Sequence, residues 1–339
     1  MDKLDVILQD FGAWLDDEGK GDLTIARYTA AVRDFAQWYQ LTYQTPFDVR
    51  RMIRRHVRAY KDYMMTQAKD EEGYSPNTIN TRLSGLAAFG KWAAAKNLVA
   101  GNPSKGVEKL EQQDTAPRWL TPQQTQDLWW AIETDVQATQ RRPGYRRQSN
   151  LVLARRDAAV AVVMLAAGLR VSEVVKLRVG DVQISERKGS LNVRFGKKDK
   201  SRIVPLNADA RAYLSAWMEL LPFNAPTAPL FVDTSPEARR RKPSADKREK
   251  TLAAQGKPYD PLDTRTIQRI VAHYGKVADI KGLTPHVLRH TCAKSLIDQG
   301  VSIDRVADIL GHKSLETTRR YTQASQADLQ AEVEKIATR

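Results

Sequence analysis

Apolar and polar positions alternate with the period of an α-helix through the first hundred residues. Apolar side chains recur every three or four positions from Leu4 to Leu15, from Ile25 to Trp38, and again from Ile79 to Trp92. Ser75 followed by Pro76 is typical of a helix N-cap with proline in the first turn. The pattern predicts a helical bundle, and hence a first domain, over residues 1–105.

A polar stretch without apolar periodicity follows the bundle. Gly101-Asn102-Pro103 interrupts the helical pattern, and residues 106–117 read as a linker between two domains. Thr121-Pro122 then has the form of a new N-cap and first-turn proline. We therefore place a second domain at residues 118–339.

The second domain combines helical and strand patterns. Asp157 to Ala167 is almost wholly apolar, as in a fully buried helix, and Gly168 follows where a left-handed C-cap is expected. Short apolar runs at 182–184, 191–195 and 203–206, separated by turn residues, predict a three-stranded antiparallel sheet. The expected fold class is mainly α with a small antiparallel sheet, so that a helical domain precedes an α+β domain.

The charge is uneven along the chain, whose net charge is +14. Residues 1–115 hold 16 basic and 16 acidic residues, whereas residues 116–339 hold 38 and 24. An excess of this size indicates a polyanionic partner, most simply nucleic acid, although a solubilising surface is the alternative. Residues 237–258 hold eight basic and three acidic residues and predict a mobile basic loop, either near DNA or merely solvated.

The first domain also contains a basic cluster, in the segment RRMIRRHVR. Its arginines fall at spacings of three and four, which predicts that they share one helix face. That face could lie against a DNA backbone or simply be solvated beside nearby acids. The candidate DNA-binding residues are Arg51, Arg54, Arg55 and Arg58.

Cysteine usage and hydropathy bear on location. Cys292 is the single cysteine, so no intramolecular disulfide can form, which suits a reducing compartment and predicts a cytoplasmic location. The longest apolar run, 158–168, is well short of the ~20 residues needed to span a bilayer. No membrane role is predicted.

Three segments carry the candidate chemistry: GLRVSEVVKL from Gly168, GKKDKSRIVPL from Gly196, and TPHVLRHTCAKSLIDQGVSIDRVADILGHKSLETTRRY from Thr284. Together they resemble the tyrosine recombinase (phage integrase-like) family. The resemblance implies a core-binding domain, a linker and a catalytic domain that performs site-specific DNA recombination through a 3′-phosphotyrosyl intermediate and a Holliday junction. The catalytic set that it implies is Arg170, Lys197, His286, Arg289, His312 and Tyr321, with Glu173 as a supporting carboxylate.

These residue types suit phosphoryl transfer independently of the resemblance. Attack on a phosphodiester builds negative charge on the nonbridging oxygens, which Arg170 and Arg289 can hold with permanently charged forks. A phenol with a pKa near ~10 needs a base or a cationic field to attack, for which His286 is suited. The basic 5′-alkoxide that leaves needs an acid, and the family implies Lys197 for that role and His312 as a donor to the phosphate. No metal ion or cofactor is expected.

Partners and alternatives complete the expectations. The resemblance implies double-stranded DNA with a specific site, bound by a homotetramer, or a heterotetramer with a related recombinase, on two duplexes. Residues 322–339 predict a short amphipathic helix that docks on a neighbouring protomer or on its own domain. His290 and Cys292 are interpreted as packing residues, and His56 and His273 match no motif.

Two other functions stay open at this point. A type IB topoisomerase shares the same catalytic residue types, and a DNA-binding accessory factor would bind without cutting. The histidine of the HxxR motif, the helical first domain and the complete catalytic set favour a recombinase. Because the helical pattern begins almost at Met1, we expect a simple two-domain, Xer-like type. Chromosome dimer resolution, element integration and transposon movement remain equally compatible with the sequence.

Overall fold

A computed structural model describes residues 3–66, 72–111, 117–141, 145–195, 200–221, 223–233, 260–312 and 314–321. The chain divides into two compact units, Met1–Thr115 and Ala116–Arg339. The described residues are mainly helical with one small antiparallel sheet, so the predicted fold class is confirmed.

The first unit is helical, as its apolar period predicts. Its helices are α1 (Lys3–Asp17), α2 (Asp22–Tyr43), α3 (Arg54–Thr66) and α4 (Pro76–Ala95), with a 3₁₀ turn at Val49–Arg51. Ser75 caps α4 by accepting a hydrogen bond from the Thr78 amide at 3.4 Å, and Pro76 occupies the first turn. Aromatic rings fill the core, among them Phe11, Phe35, Tyr60, Phe89 and Trp92.

Part of the predicted linker is anchored to this unit. Val107 and Leu110 pack against its core. The Asn80 side chain donates to the Leu110 carbonyl and accepts from the Leu110 amide, both at 2.8 Å. Asn80 is itself buried, so these two bonds satisfy its amide. This attachment could not be predicted from the mostly polar composition of residues 106–117. It depends on only two apolar side chains, Val107 and Leu110, and on the side-chain amide of Asn80 in α4.

The second unit is built from eight helices and three strands within the described part of the chain. The helices are α5 (Pro122–Arg141), α6 (Tyr145–Ala167), α7 (Val171–Lys176), α8 (Ala208–Met218), α9 (Thr264–Val277), α10 (Pro285–Asp298), α11 (Ile303–Leu310) and α12 (Glu316–Arg319). The strands are β1 (Val182–Ile184), β2 (Gly189–Phe195) and β3 (Lys200–Pro205). A 3₁₀ turn at Val179–Asp181 leads into β1.

Helix α6 is the centre of this unit. Its residues 158–165 are all buried, and it packs against α5, α8 and α10. Gly168 follows it with φ of +61°, which confirms the predicted left-handed C-cap. The predicted cap of α5 is also present, since Thr121 Oγ1 accepts from the Gln124 amide at 3.2 Å.

The predicted three-stranded antiparallel sheet is confirmed, with strand order β1-β2-β3. Val182 pairs with Leu191, and Leu191 in turn pairs with Val204. The turn that carries Lys197, the basic loop 237–258 and the C-terminal segment 322–339 lie outside the described residues.

None of the helices in the described ranges is long and apolar enough to cross a membrane.

Candidate active site

Glu173 is the centre of a buried ionic cluster in the second unit. It is 6% exposed and accepts from the backbone amide of Arg170 at 2.9 Å, which secures the start of α7. Its carboxylate also binds Arg170 Nη1 at 3.0 Å and both terminal nitrogens of Arg202 at 2.9 Å. Burial raises the pKa of this carboxyl, but the hydrogen bonds from Arg202 and Arg170 outweigh burial and hold the pKa below its ordinary value.

Arg289 lies deeper than the other arginines, on the second turn of α10. It is 4% exposed and donates to the carbonyls of Gly168 and Leu310, both at 2.6 Å. Its Nη1 is 3.9 Å from Glu173 Oε2. Burial and the nearby Arg170 guanidinium lower the pKa of Arg289 to about 10, so it still carries its charge at neutral pH.

The end of α11 brings the three arginines together. Its last carbonyls have no partner within the helix and form the negative end of the helix dipole. Arg202 Nε donates to Ile309 O at 2.7 Å, Arg289 Nη2 to Leu310 O, and Arg170 Nη2 to Gly311 O at 3.1 Å. The helix end therefore neutralises part of the positive charge of the cluster and fixes where each guanidinium lies.

Two glycines allow the arginines and the end of α11 to pack this closely. A Cβ on Gly168 would lie 2.5 Å from Leu310 Cδ2 and 3.2 Å from Cys292 Sγ. Gly311, which caps α11 with φ of +65°, would place a Cβ 2.8 Å from Arg202 Nη1. The glycines of the GLR and LGH segments are thus explained by close packing around the arginines as well as by their left-handed backbone.

Tyr321 lies beside this cluster and is 3% exposed. Its ring packs with Ala293, Val306 and Leu310 of α10 and α11. Its hydroxyl oxygen is 2.6 Å from His290 Nδ1. Burial raises the pKa of the Tyr321 phenol, and the cationic side chains of Arg289, Arg170 and Arg320 act in the opposite direction.

His312 lies on the other side of the tyrosine ring, nearly parallel to it, with the ring centroids 6.3 Å apart. Its Nδ1 is 2.8 Å from the Thr318 hydroxyl oxygen, and Thr318 is fully buried. Burial and the surrounding arginines, Arg289 first among them, lower the pKa of His312 to about 4. The imidazole is therefore neutral at pH 7 and can donate one hydrogen bond.

The structure brings most of the sequence-derived set into one place. Arg170, Glu173, Arg289, His312 and Tyr321 form a continuous group around the end of α11. His286 lies exposed on the first turn of α10, with its ring 6.4 Å from that of His290. The geometry of Lys197 is not described.

Two residues of the cluster were not identified from the sequence. Arg202 occupies an inward position of β3, in alternation with the buried Val204, and a charged residue at such a position signals a buried partner. His290 was interpreted as a packing residue, but it forms the hydrogen bond to the Tyr321 hydroxyl. Its spacing of four from His286 places both histidines on one helix face, which was the available signal.

The basic cluster of the first unit differs in part from its prediction. Arg54, Arg55 and Arg58 are exposed in the first turns of α3. Arg51 instead ends the preceding 3₁₀ turn, so the four arginines do not share one helix face. The buried side chain of Met52 and its extended backbone separate the two elements.

Comparison with known proteins agrees with the sequence resemblance. A family model described as the phage integrase family matches residues 118–328. The tyrosine recombinase XerC of Corynebacterium efficiens is 30% identical over 308 residues, which cover 91% of this chain and 83% of that protein. The tyrosine recombinase XerA of Pyrococcus furiosus is 27% identical over 97% of this chain and 93% of its own length. A crystal structure of the XerH site-specific recombinase bound to its palindromic difH substrate has a TM-score of 0.64 at 17% identity, over 94% of this chain and 80% of that one, which shows a shared fold.

Proposed function

Since this chain belongs to the phage integrase family and is a site-specific tyrosine recombinase, we propose that Tyr321 is its nucleophile and that Arg170 and Arg289 bind the phosphate under attack. The observation that carries this proposal is the convergence of two arginines, 119 positions apart in the sequence, on the same helix end beside a buried tyrosine. Neither arginine is needed there merely to pair Glu173, because Arg202 already binds both of its carboxylate oxygens.

The proposed reaction forms a bond between Tyr321 Oη and phosphorus as the bond to the 5′ oxygen breaks. Negative charge grows on the two nonbridging oxygens in the transition state, where guanidinium donors are most effective. Arg170 has a side chain that is 38% exposed, so a phosphate can approach it from solvent. Arg289 is buried and held by two backbone carbonyls, which reduces the reorganisation needed when the charge appears.

Other members of the set have proposed roles that follow from their chemistry. Neutral His312 is suited to donate a hydrogen bond to a nonbridging oxygen. Exposed His286 is suited to contact the DNA phosphate. Lys197 is proposed as the acid that protonates the leaving 5′ oxygen, from its position in the GKKDKS segment. Glu173 orients Arg170 and Arg202 without contacting DNA.

The proposed partner is double-stranded DNA carrying a specific recombination site. The excess of basic over acidic residues in 116–339 supports it, as do exposed Arg54, Arg55 and Arg58 on α3. The printed description of the XerH structure names a DNA substrate for that protein. We further propose that four protomers, identical or paired with a related recombinase, act on two duplexes, since exchange between duplexes needs one active site for each of four strands.

A suicide-substrate assay tests the proposed chemistry. The substrates are duplexes taken from the DNA flanking the gene and nicked close to the cleavage position. Cleavage releases a short fragment that carries the 5′-hydroxyl, and because this fragment diffuses away, rejoining fails and the covalent intermediate accumulates. We expect wild type to give a protein–DNA adduct on a denaturing gel and, with a second labelled duplex, a recombinant product. Tyr321→Phe is expected to bind the same DNA and give neither.

Two results would contradict the proposal. Tight, site-specific binding without any adduct would indicate a noncatalytic binding protein. Relaxation of supercoiled plasmid without exchange between duplexes would indicate topoisomerase-like chemistry and a single acting protomer.

A further inference from the structure

The only hydrogen bond found for the Tyr321 hydroxyl among the described residues is with His290. The phenol oxygen is 2.6 Å from His290 Nδ1, and the two ring centroids are 5.4 Å apart. Tyr321 is 3% exposed, so bulk water does not replace this partner. A buried hydroxyl needs an acceptor for its proton, and the imidazole nitrogen supplies one.

The protonation state of His290 fits an acceptor. Burial, followed by the electrostatic effects of His286, Arg289 and Arg320, lowers the pKa of His290 to about 4. The imidazole is therefore neutral at pH 7, with one nitrogen that carries a lone pair. When that nitrogen is Nδ1, the Tyr321 hydroxyl donates to it and the phenol proton is already directed at a base.

We propose that His290 accepts the proton of the Tyr321 hydroxyl when the DNA strand is cut. This rests on the proposed role of Tyr321 as nucleophile. The Oη–phosphorus bond forms while the bond from phosphorus to the 5′ oxygen breaks. The phenol proton moves from Oη to His290 Nδ1, and the leaving 5′ oxygen takes a proton from the general acid, proposed to be Lys197. In the rejoining step each proton returns.

The charges around the pair act on its two members in opposite directions. The groups that face it are His286 and Arg289 on α10, Arg170 beside α7, and His312 and Arg320 on the segment that carries Tyr321. The arginines disfavour an imidazolium, but they favour a phenolate. Moving one proton between two atoms that lie 2.6 Å apart leaves the net charge of the pair unchanged. The proton leaves the phenol as its oxygen bonds to phosphorus, which makes that oxygen far more acidic.

His286 and His290 of α10 have different surroundings, which suit them to different roles. His286 and His290 are one turn apart, but His286 is exposed whereas His290 is half-buried against the tyrosine. The exposed histidine is placed to contact a ligand that arrives from solvent. The half-buried one is placed to act on the nucleophile alone.

The test measures single-turnover cleavage of a nicked suicide duplex by the full chain with His290→Asn and His290→Ala. Asparagine keeps a polar group near the Nδ1 position but cannot take a proton. We expect both variants to cleave about 100-fold more slowly than wild type, the lower range for loss of a general base. The matched control is His273→Asn, because His273 is an exposed histidine on α9 of the same unit. It is expected to cleave at the wild-type rate.

A second measurement separates proton transfer from a structural effect. Replacing Tyr321 by 3,5-difluorotyrosine makes the phenol more acidic and reduces its need for a base. We expect this replacement to recover most of the activity lost in His290→Asn and to change wild type little. DNA binding by gel shift should be unchanged in all variants.

Each other outcome overturns the inference in a distinguishable way. Full activity of His290→Asn excludes His290 as the acceptor. An equal defect with tyrosine and difluorotyrosine assigns it a structural role only. A 5′-bridging phosphorothiolate substrate needs no acid for its leaving group. If it restored cleavage by the His290 variants, His290 would act on the leaving 5′ oxygen and not on the Tyr321 hydroxyl. Absence of an adduct with wild type would overturn the proposed function itself, and the inference with it.

Discussion

Arg289→Lys is expected to slow covalent strand cleavage by about two to three orders of magnitude, the range for loss of one transition-state donor. Arg289 reaches two carbonyls, of Gly168 and Leu310, from a site that is 4% exposed. A lysine ammonium is a point charge and cannot reproduce the planar fork that spans both carbonyls and that we propose binds the phosphate. Because this variant keeps the positive charge, the loss of cleavage rate would measure the contribution of the guanidinium geometry.

The measurement is single-turnover cleavage of a suicide duplex at saturating protein. Arg305→Lys is the matched control, because Arg305 is exposed on α11, whose last carbonyls the cluster binds. The control is expected to behave as wild type. An Arg289→Lys protein that remains folded and cleaves at the wild-type rate would show that this guanidinium does not contact the phosphate.

Glu173→Gln is expected to lower the free energy of unfolding of the second unit by about 3–5 kcal/mol, the usual cost of removing one partner of a buried ion pair. The substitution removes the Glu173 carboxylate from Arg202, which is 9% exposed, and from between Arg202, Arg170 and Arg289, so that these three positive charges repel each other more strongly. Cleavage should fall as well, because Arg170 loses the carboxylate that orients it.

The same residue gives a prediction for pH. The pKa of Glu173 in the folded protein lies below its ordinary value. Its stabilisation is therefore complete above the ordinary carboxyl pKa of about 4.3 and is lost as the pH falls through the folded value. We expect the difference in unfolding free energy between wild type and Glu173→Gln to be constant near neutrality and to shrink in acid.

Chemical denaturation of the full chain across this pH range makes the measurement. Glu316→Gln is the control, since Glu316 is 79% exposed and pairs only with exposed Arg319 in the described part of the chain. A difference for Glu173→Gln that does not change with pH would contradict the ionic role of the carboxylate.

The sequence was sufficient for features that depend on local pattern. Gly168 and the cap at Thr121 could be predicted because backbone conformation and capping act within a few residues. The sheet could be predicted because alternation and turn residues define short strands. The catalytic set was implied by the resemblance of three segments to the tyrosine recombinase family, and Arg170, Arg289, His312 and Tyr321 lie together in the fold.

The remaining features depend on contacts between distant segments. Arg202 lies 29 residues from Glu173, and its two-point contact arises only when β3 packs against α11 and the Arg202 side chain reaches Glu173 on α7. His290 could be recognised as a partner of Tyr321 only once α10 and the segment after α11 were adjacent. The break at Met52 similarly follows from burial of its side chain, which spacing among arginines does not reveal.

The most direct test of the central claim is to identify the residue and the DNA end in the covalent adduct. After nuclease trimming and tryptic digestion, cleavage after Arg320 places Tyr321 at the start of a peptide that ends at Lys335. The account predicts that this peptide, or its extension by Arg320, carries a nucleotide linked through a 3′-phosphate to the Tyr321 oxygen. Attachment to any other residue, or through a 5′-phosphate, would contradict it.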